Sequence, residues 1–281
     1  MKKIRKISMY DLVRVKKILD EFKESEIPIY AGQTAFFTML SFFPFMMLVF
    51  VLLNFLPLSA SDFQNWILPV IPDSFSEVME SFIREIYQGS SSIRISFTVI
   101  TAIWLSSKAF VSLQQGLNSM YRSKENRNFI LLRIYAVLYS LLFALLIIAV
   151  LAVMVFGNRI HEVFLVNLGA IDRIVNRIIH FRMIICISVL FLFFILLFYF
   201  LPNKKQSVRG LVAGAFFSTM AWILFSYFFS IYVDNYSNYA SFYGAMTTIA
   251  LIMVWLYGCM YMVFLGGFIN YCIENIKSHN W

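Results

Sequence analysis

The chain has 281 residues, 60% of them hydrophobic, with a mean hydropathy of +0.77; soluble domains hold about 45–50% apolar residues, so an ordinary soluble domain is excluded. Only 14% of residues are charged, and the net charge is +8. Lys and Arg fall in the gaps between long apolar runs, which points to the anionic face of a membrane and away from nucleic acid.

Residues 1–30 are polar and basic. Leu12, Val15, Ile18, Leu19 and Phe22 recur at helical spacing, with Arg14, Lys17 and Glu21 on other faces. This predicts an amphipathic helix, either lying on the inner membrane surface or packed on the bundle. Pro28 is expected to break it before the membrane is entered. The first apolar run starts near Ala35, past the position of a signal-peptide core, so no cleavable signal is expected.

Span one covers roughly 33–56 and carries Pro44, which cannot donate to the Leu40 carbonyl and is expected to kink the helix. Thr38 and Ser41, one turn back, are placed to satisfy freed backbone groups. In the loop that follows, Ser74 and Glu77 have capping-box spacing before an apolar stripe from Phe75 to Ile86, which predicts a short surface helix. Span two is read over 94–115, span three over 130–156, span four over 183–201, span five over 209–233 and span six over 243–271. The connector 157–182 alternates isoleucines with Arg173, Arg177 and His180 at helical spacing and reads as a second interfacial or capping helix.

Six spans put both termini on one side. Sixteen Lys or Arg on the terminal side, Arg133 among them as part of the connector between spans two and three, against six on the other place that side in the cytoplasm, although Arg159, Arg173, Arg177 and Arg182 lean against it.

Three ordered blocks carry a family resemblance. They are YAGQTAFFTMLSFFP from Tyr30 to Pro44; WLSSKAF from Trp104, continuing to LNSMY ending at Tyr121 and ENRNF from Glu125 to Phe129; and YASFYGA from Tyr239, followed by WLY from Trp255 and LGG ending at Gly267. Together they resemble the YihY/BrkB family of bacterial inner-membrane proteins over nearly the whole chain. The resemblance implies six transmembrane helices and a cell-membrane location. Members are associated with serum resistance and envelope lipid handling, and the family has carried an old ribonuclease label.

That label finds no chemistry in the sequence. His161, His180 and His279 are widely separated, without HxH or HExxH spacing, and the carboxylates sit mainly in connectors. There is no GxxxxGK[ST] loop and no GxSxG elbow. Cys186, Cys259 and Cys272 form no CxxC pair. No enzyme activity, metal or other cofactor is expected.

Lys108, after Ser106 and Ser107, is the most membrane-embedded cation. It either snorkels to the interface or holds an anionic head group. Glu125 and Arg127 either form a pair that fixes the connector, or Arg127 meets lipid phosphate. Asn118 and Asn270 suit interhelical hydrogen bonding, and Gly210 and Gly214 have GxxxG spacing for close helix approach. Tyr239, Tyr243 and Gly244 mark the outer end of span six, as aromatic belt or head-group contact.

The expected architecture is therefore all-α: residues 1–30 as an amphipathic segment, 31–273 as a six-helix transmembrane bundle with short interfacial helices, and 274–281 as a cytoplasmic tail. Lys108, Ser107, Gln33, Thr38 and Arg127 are the candidate binding residues, and Pro44, Trp104, Asn118, Glu125, Tyr243, Gly244 and Gly266 the structural motif positions. Two functions fit: a transporter or flippase-like handler of lipids or other amphiphiles, and a non-transporting protein that organises or regulates envelope machinery. Membrane lipids are the expected partners, self-association is open, and nucleic acid is not a partner.

Overall fold

The computed structural model describes residues 9–53, 92–164, 182–204, 206–235 and 245–277. These form seven helices and, among the described residues, no strand. They are α1 (Met9–Glu24), α2 (Ile27–Leu53), α3 (Ser92–Met120), α4 (Phe129–Phe164), α5 (Arg182–Phe200), α6 (Val208–Asn235) and α7 (Ala245–Lys277). Among the described residues, four stretches are long and apolar enough to cross a membrane: Phe129–Ile148, Met183–Phe200, Val208–Val233 and Ile249–Ile276. The first two predicted spans fall on the continuous helices α2 and α3. The predicted surface helix after Ser74, most of the 157–182 connector, and Tyr239, Tyr243 and Gly244 lie outside the described residues.

Several boundaries move for local reasons. Helix α1 ends at the Ser25–Glu26 turn, where Glu26 takes a left-handed φ of 52°. Pro28 does not break that helix; it stands in the first turn of α2, where a missing N–H costs nothing. Pro44 sits inside α2, which continues through it. Helix α4 runs past the predicted end of span three to Phe164, and α7 carries the helix through Lys277 in the predicted tail.

The chain divides into two compact units: residues 1–39, 111–129 and 189–281, and residues 40–110 and 130–188. In the first, α6 packs along α7. Their approach is set by Gly214 and Gly266: a Cβ on Gly214 would stand 2.1 Å from the Gly266 carbonyl oxygen, and one on Gly266 would stand 2.0 Å from the Ser218 hydroxyl. Within this chain Gly210 does not share that approach, because a Cβ on it would meet only the Ser207 hydroxyl at 3.3 Å. The small residues that let these backbones touch come from two helices. Phe194, Phe198, Leu117, Leu211 and Phe264 fill this unit's core, and the Trp222 ring lies edge-on to Trp255 at 6.4 Å. In the second unit, Phe110 stacks on Tyr139 at 6.2 Å and meets Phe143 edge-on at 6.0 Å.

Candidate functional site

Among the described residues of the first unit, ion pairs involve Glu21, Glu24, Arg122, Glu125, Arg127, Lys204 and Glu274, several of them around the end of α3. There the chain forms a Schellman closure: the Ser123 N–H bonds to the Asn118 carbonyl at 2.9 Å and the Arg122 N–H to the Ser119 carbonyl at 3.0 Å. The left-handed position in this motif usually carries glycine. Here it is Arg122, at φ 49°, which costs about 1–2 kcal/mol of backbone strain. The strained backbone aims the guanidinium at α1: Arg122 Nη2 lies 2.7 Å from the Glu21 carboxylate and also bonds the Glu24 carboxylate. Those contacts, Glu24 foremost, raise the guanidinium's pKa further. Tyr271 Oη donates to Glu21 at 3.2 Å. These side chains border a cavity of about 200 Å³ floored by Phe268.

Glu21 therefore lies on the inner face of α1, beside Ile18, Phe22 and Ser25, and not on an outer face as periodicity predicted. Phe22 packs edge-on against Phe268 at 5.6 Å, whereas Leu19 is 54% exposed. The polar partner on α3 and α7 decides which face of α1 turns inward.

Glu125 is the hub of the next network. Gln114 Nε2 and Asn118 Nδ2 each donate to its Oε2 at 2.7 Å. Arg127 donates from its backbone N–H at 3.0 Å and from Nε at 2.8 Å to Oε1, and from Nη2 at 2.8 Å to Oε2. Partial burial pulls this carboxyl's pKa up, but the bonds from Arg127, Gln114 and Asn118 outweigh it and hold the pKa at about 2. Arg127 Nη2 also donates to the Leu201 carbonyl at 3.0 Å. Asn118 Oδ1 accepts the Asn203 N–H at 2.7 Å, and Ser123 Oγ donates to the Asn203 carbonyl at 2.9 Å. The pair expected from sequence is thus a clamp joining the ends of α3 and α5. Beside it, Lys204 pairs with Glu274 at 2.8 Å. Tyr121 is buried next to the amides of Asn270 and Gln206, and burial pushes its phenol well up. Asn270 itself accepts the Gly214 N–H at 2.7 Å.

A second polar feature of this unit joins α2 to α3. Gln33 Nε2 donates to Gln115 Oε1 at 3.4 Å, and the Thr34 and Ser112 hydroxyls are 3.1 Å apart. Thr38 Oγ1 is buried without a hydrogen-bond partner. Gln115 is exposed while Thr34 and Ser112 are buried, so the seam runs from the surface of the helix pair into its packing.

In the second unit, Ser41 does not serve the carbonyl freed by Pro44. Its hydroxyl donates to the Leu105 carbonyl of α3 at 2.9 Å. Ser107 donates to the Trp104 carbonyl at 2.8 Å, and Arg133 Nη2 donates to that same carbonyl, also at 2.8 Å. The Arg133 guanidinium stands 4.0 Å over the Trp104 ring. Lys108 is exposed.

Of the predicted binding residues, Gln33, Thr38 and Arg127 belong to the first unit and Ser107 and Lys108 to the second. Periodicity missed Gln115, Arg122 and Arg133. Gln115 was legible as an amide near the end of an apolar run; Arg133 was counted with the connector although it stands four residues inside α4. Among the described residues no group of three His, Cys, Asp or Glu side chains is placed to hold a metal ion.

The pattern of the family described as virulence factor BrkB matches residues 18–280. The ribonuclease-like protein YfkH of Bacillus subtilis (strain 168) is 30% identical over 264 residues, 94% of this chain and 96% of that one. A UPF0761 membrane protein of Pseudoalteromonas atlantica is 25% identical over 272 residues, covering 92% and 85% of the two chains. Another, from Actinobacillus pleuropneumoniae, is 23% identical over 264 residues, 91% of each. No solved structure matches the chain.

Proposed function

The chain belongs to the BrkB virulence-factor family of membrane proteins, and on that footing we propose that it handles lipids or other amphiphilic envelope molecules as a transporter or flippase-like protein of the cell membrane. The observation that carries this reading is the seam of Gln33, Thr34, Thr38, Ser112 and Gln115. Amides and hydroxyls in apolar helices cost several kcal/mol each when they face hydrocarbon unpaired. A seam with one exposed amide and one unpartnered buried hydroxyl suits a surface that polar head groups pass over. In this reading the apolar runs form six spans, and the distribution of basic residues supports placing both termini in the cytoplasm. Lys108 is the proposed contact for an anionic head group, and Arg127 serves the connector clamp.

The test is lipid scrambling by the full-length protein in liposomes, read as protein-dependent access of a quencher to a fluorescent inner-leaflet lipid. Scrambling slowed by Gln33→Leu with Gln115→Leu, in a protein of unchanged thermal stability, is the expected result. No scrambling under any ion gradient sinks the reading.

The second reading, a non-transporting organiser of envelope machinery, draws on a different observation. The four described stretches able to cross a membrane contain one carboxylate, Glu274, and it is paired with Lys204. Such spans offer no carboxylate relay for ion coupling. Capture of a partner by the intact protein, without transport, would favour it.

A further inference from the structure

Arg133 is out of place by the ordinary rules for charge. It stands inside the apolar stretch Phe129–Ile148, half-buried, and its Nε is buried with no hydrogen-bond partner. Its described neighbours are an aromatic face and a carbonyl already used by Ser107. A second cation stands close by in sequence. Lys108 follows Trp104 by four residues on α3, which puts the two on one face of the helix, and both are exposed.

We infer that Arg133, Trp104 and Lys108 form a binding site for a phosphate ester, with the phosphate of an anionic lipid as its membrane source. Each part has a separate role. Trp104 holds the guanidinium by cation–π stacking. Its carbonyl fixes Nη2, so the plane of the fork is set before any ligand arrives. The unpartnered Nε supplies a donor for an oxyanion, and a fork of this kind matches the oxygens of a phosphate better than a lysine point charge does. Lys108 adds the long-range attraction and a second, flexible donor. The inference rests on the lipid-handling reading only for the source of the ligand; the site binds its anion whether or not the protein transports.

The test uses the full-length protein, purified and exchanged into a mixture of phosphatidylglycerol and phosphatidylcholine, with retained lipid read by native mass spectrometry. The unaltered protein is expected to retain phosphatidylglycerol preferentially. Loss of the charge-assisted bonds in Arg133→Gln is expected to lower that preference about tenfold, with Lys108→Gln causing a smaller loss and Arg133→Lys an intermediate one. Trp104→Phe, which keeps a ring under the cation, should retain most of the preference. Excess glycerol phosphate separates the sources: displacement of the lipid identifies a soluble phosphate ester as a ligand of the same site, and no displacement identifies the lipid. A folded Arg133→Gln protein with undiminished preference for phosphatidylglycerol overturns the site. Because this readout is binding, its failure is distinct from a failure to scramble.

Discussion

Replacing Glu125 with Gln is the sharpest probe of the clamp between α3 and α5. The carboxylate accepts five hydrogen bonds, three on Oε2 and two on Oε1. A glutamine amide has one acceptor oxygen. If its NH₂ takes the Oε2 position it faces Gln114, Asn118 and Arg127 Nη2; in the other orientation it faces the Arg127 N–H and Nε. Either way at least two donors meet a donor, and Arg127 loses its counter-charge. Hydrogen bonds to charged groups contribute about 1.5–3 kcal/mol each, so two lost bonds set a scale of about 3–6 kcal/mol. The Glu125 side chain keeps 25% of its surface in solvent, and screening there brings the expected loss to about 2–3 kcal/mol. The pH dependence gives a second figure. The interval from the ordinary 4.5 to about 2 converts to about 3 kcal/mol, reduced to about 2 by the same screening.

The sign follows from the depressed pKa. The contribution of Glu125 is complete above about pH 4.5 and is lost as pH falls towards 2. Thermal unfolding of both proteins in one detergent, at neutral pH and at points down to the acid limit, measures this. Glu125→Gln is expected to melt roughly 3–5 °C lower near neutrality, with the gap closing below pH 4. Equal melting at neutral pH, or a gap that persists unchanged in acid, would refute the clamp.

Two further changes test other contacts. Gly214→Ala places a methyl 2.1 Å from the Gly266 carbonyl oxygen; backbone cannot yield as a side-chain tip can, so a loss of at least about 2 kcal/mol is expected, and a wild-type melting temperature would show that α6 and α7 do not approach this closely. Arg122→Gln keeps the left-handed backbone position but loses the bonds to Glu21 and Glu24. Because that guanidinium is half exposed, the cost in global stability is about 1 kcal/mol or less, but α1 should become more sensitive to protease at the Ser25–Glu26 turn, and the wild-type protein should show the same sensitivity at high salt. Protection unchanged in both conditions would mean that Phe22 packing alone holds α1.

What the sequence made legible was local. Among the described residues, four stretches able to cross a membrane fall where runs of about 20 residues with almost no charge predict them, because hydrophobic length is a property of a contiguous segment. The Glu125–Arg127 pair was visible for the same reason, two residues apart and flanking a helix end. Its partners were not, since Asn203 and Leu201 arrive from more than seventy residues away. Gly214 is legible as a place of close helix approach, but the backbone it approaches, at Gly266, belongs to a helix far away in sequence and is not.

The misreadings on α1 and α4 share a physical cause. Periodicity assigns a face by apolarity, so it sent Glu21 outward and Leu19 inward; a carboxylate that finds a guanidinium and a tyrosine hydroxyl on the packed side reverses that choice. Arg133 was assigned to the connector because a charge so near the start of an apolar run belongs there by default. In the structure it stacks on Trp104 inside the run. Burying a guanidinium in place of a neutral residue is unfavourable unless something compensates it, and its neighbours among the described residues, a ring face and one shared carbonyl, compensate it only in part. The residue that composition treats as a topology marker is thus the one whose surroundings call for an anionic partner.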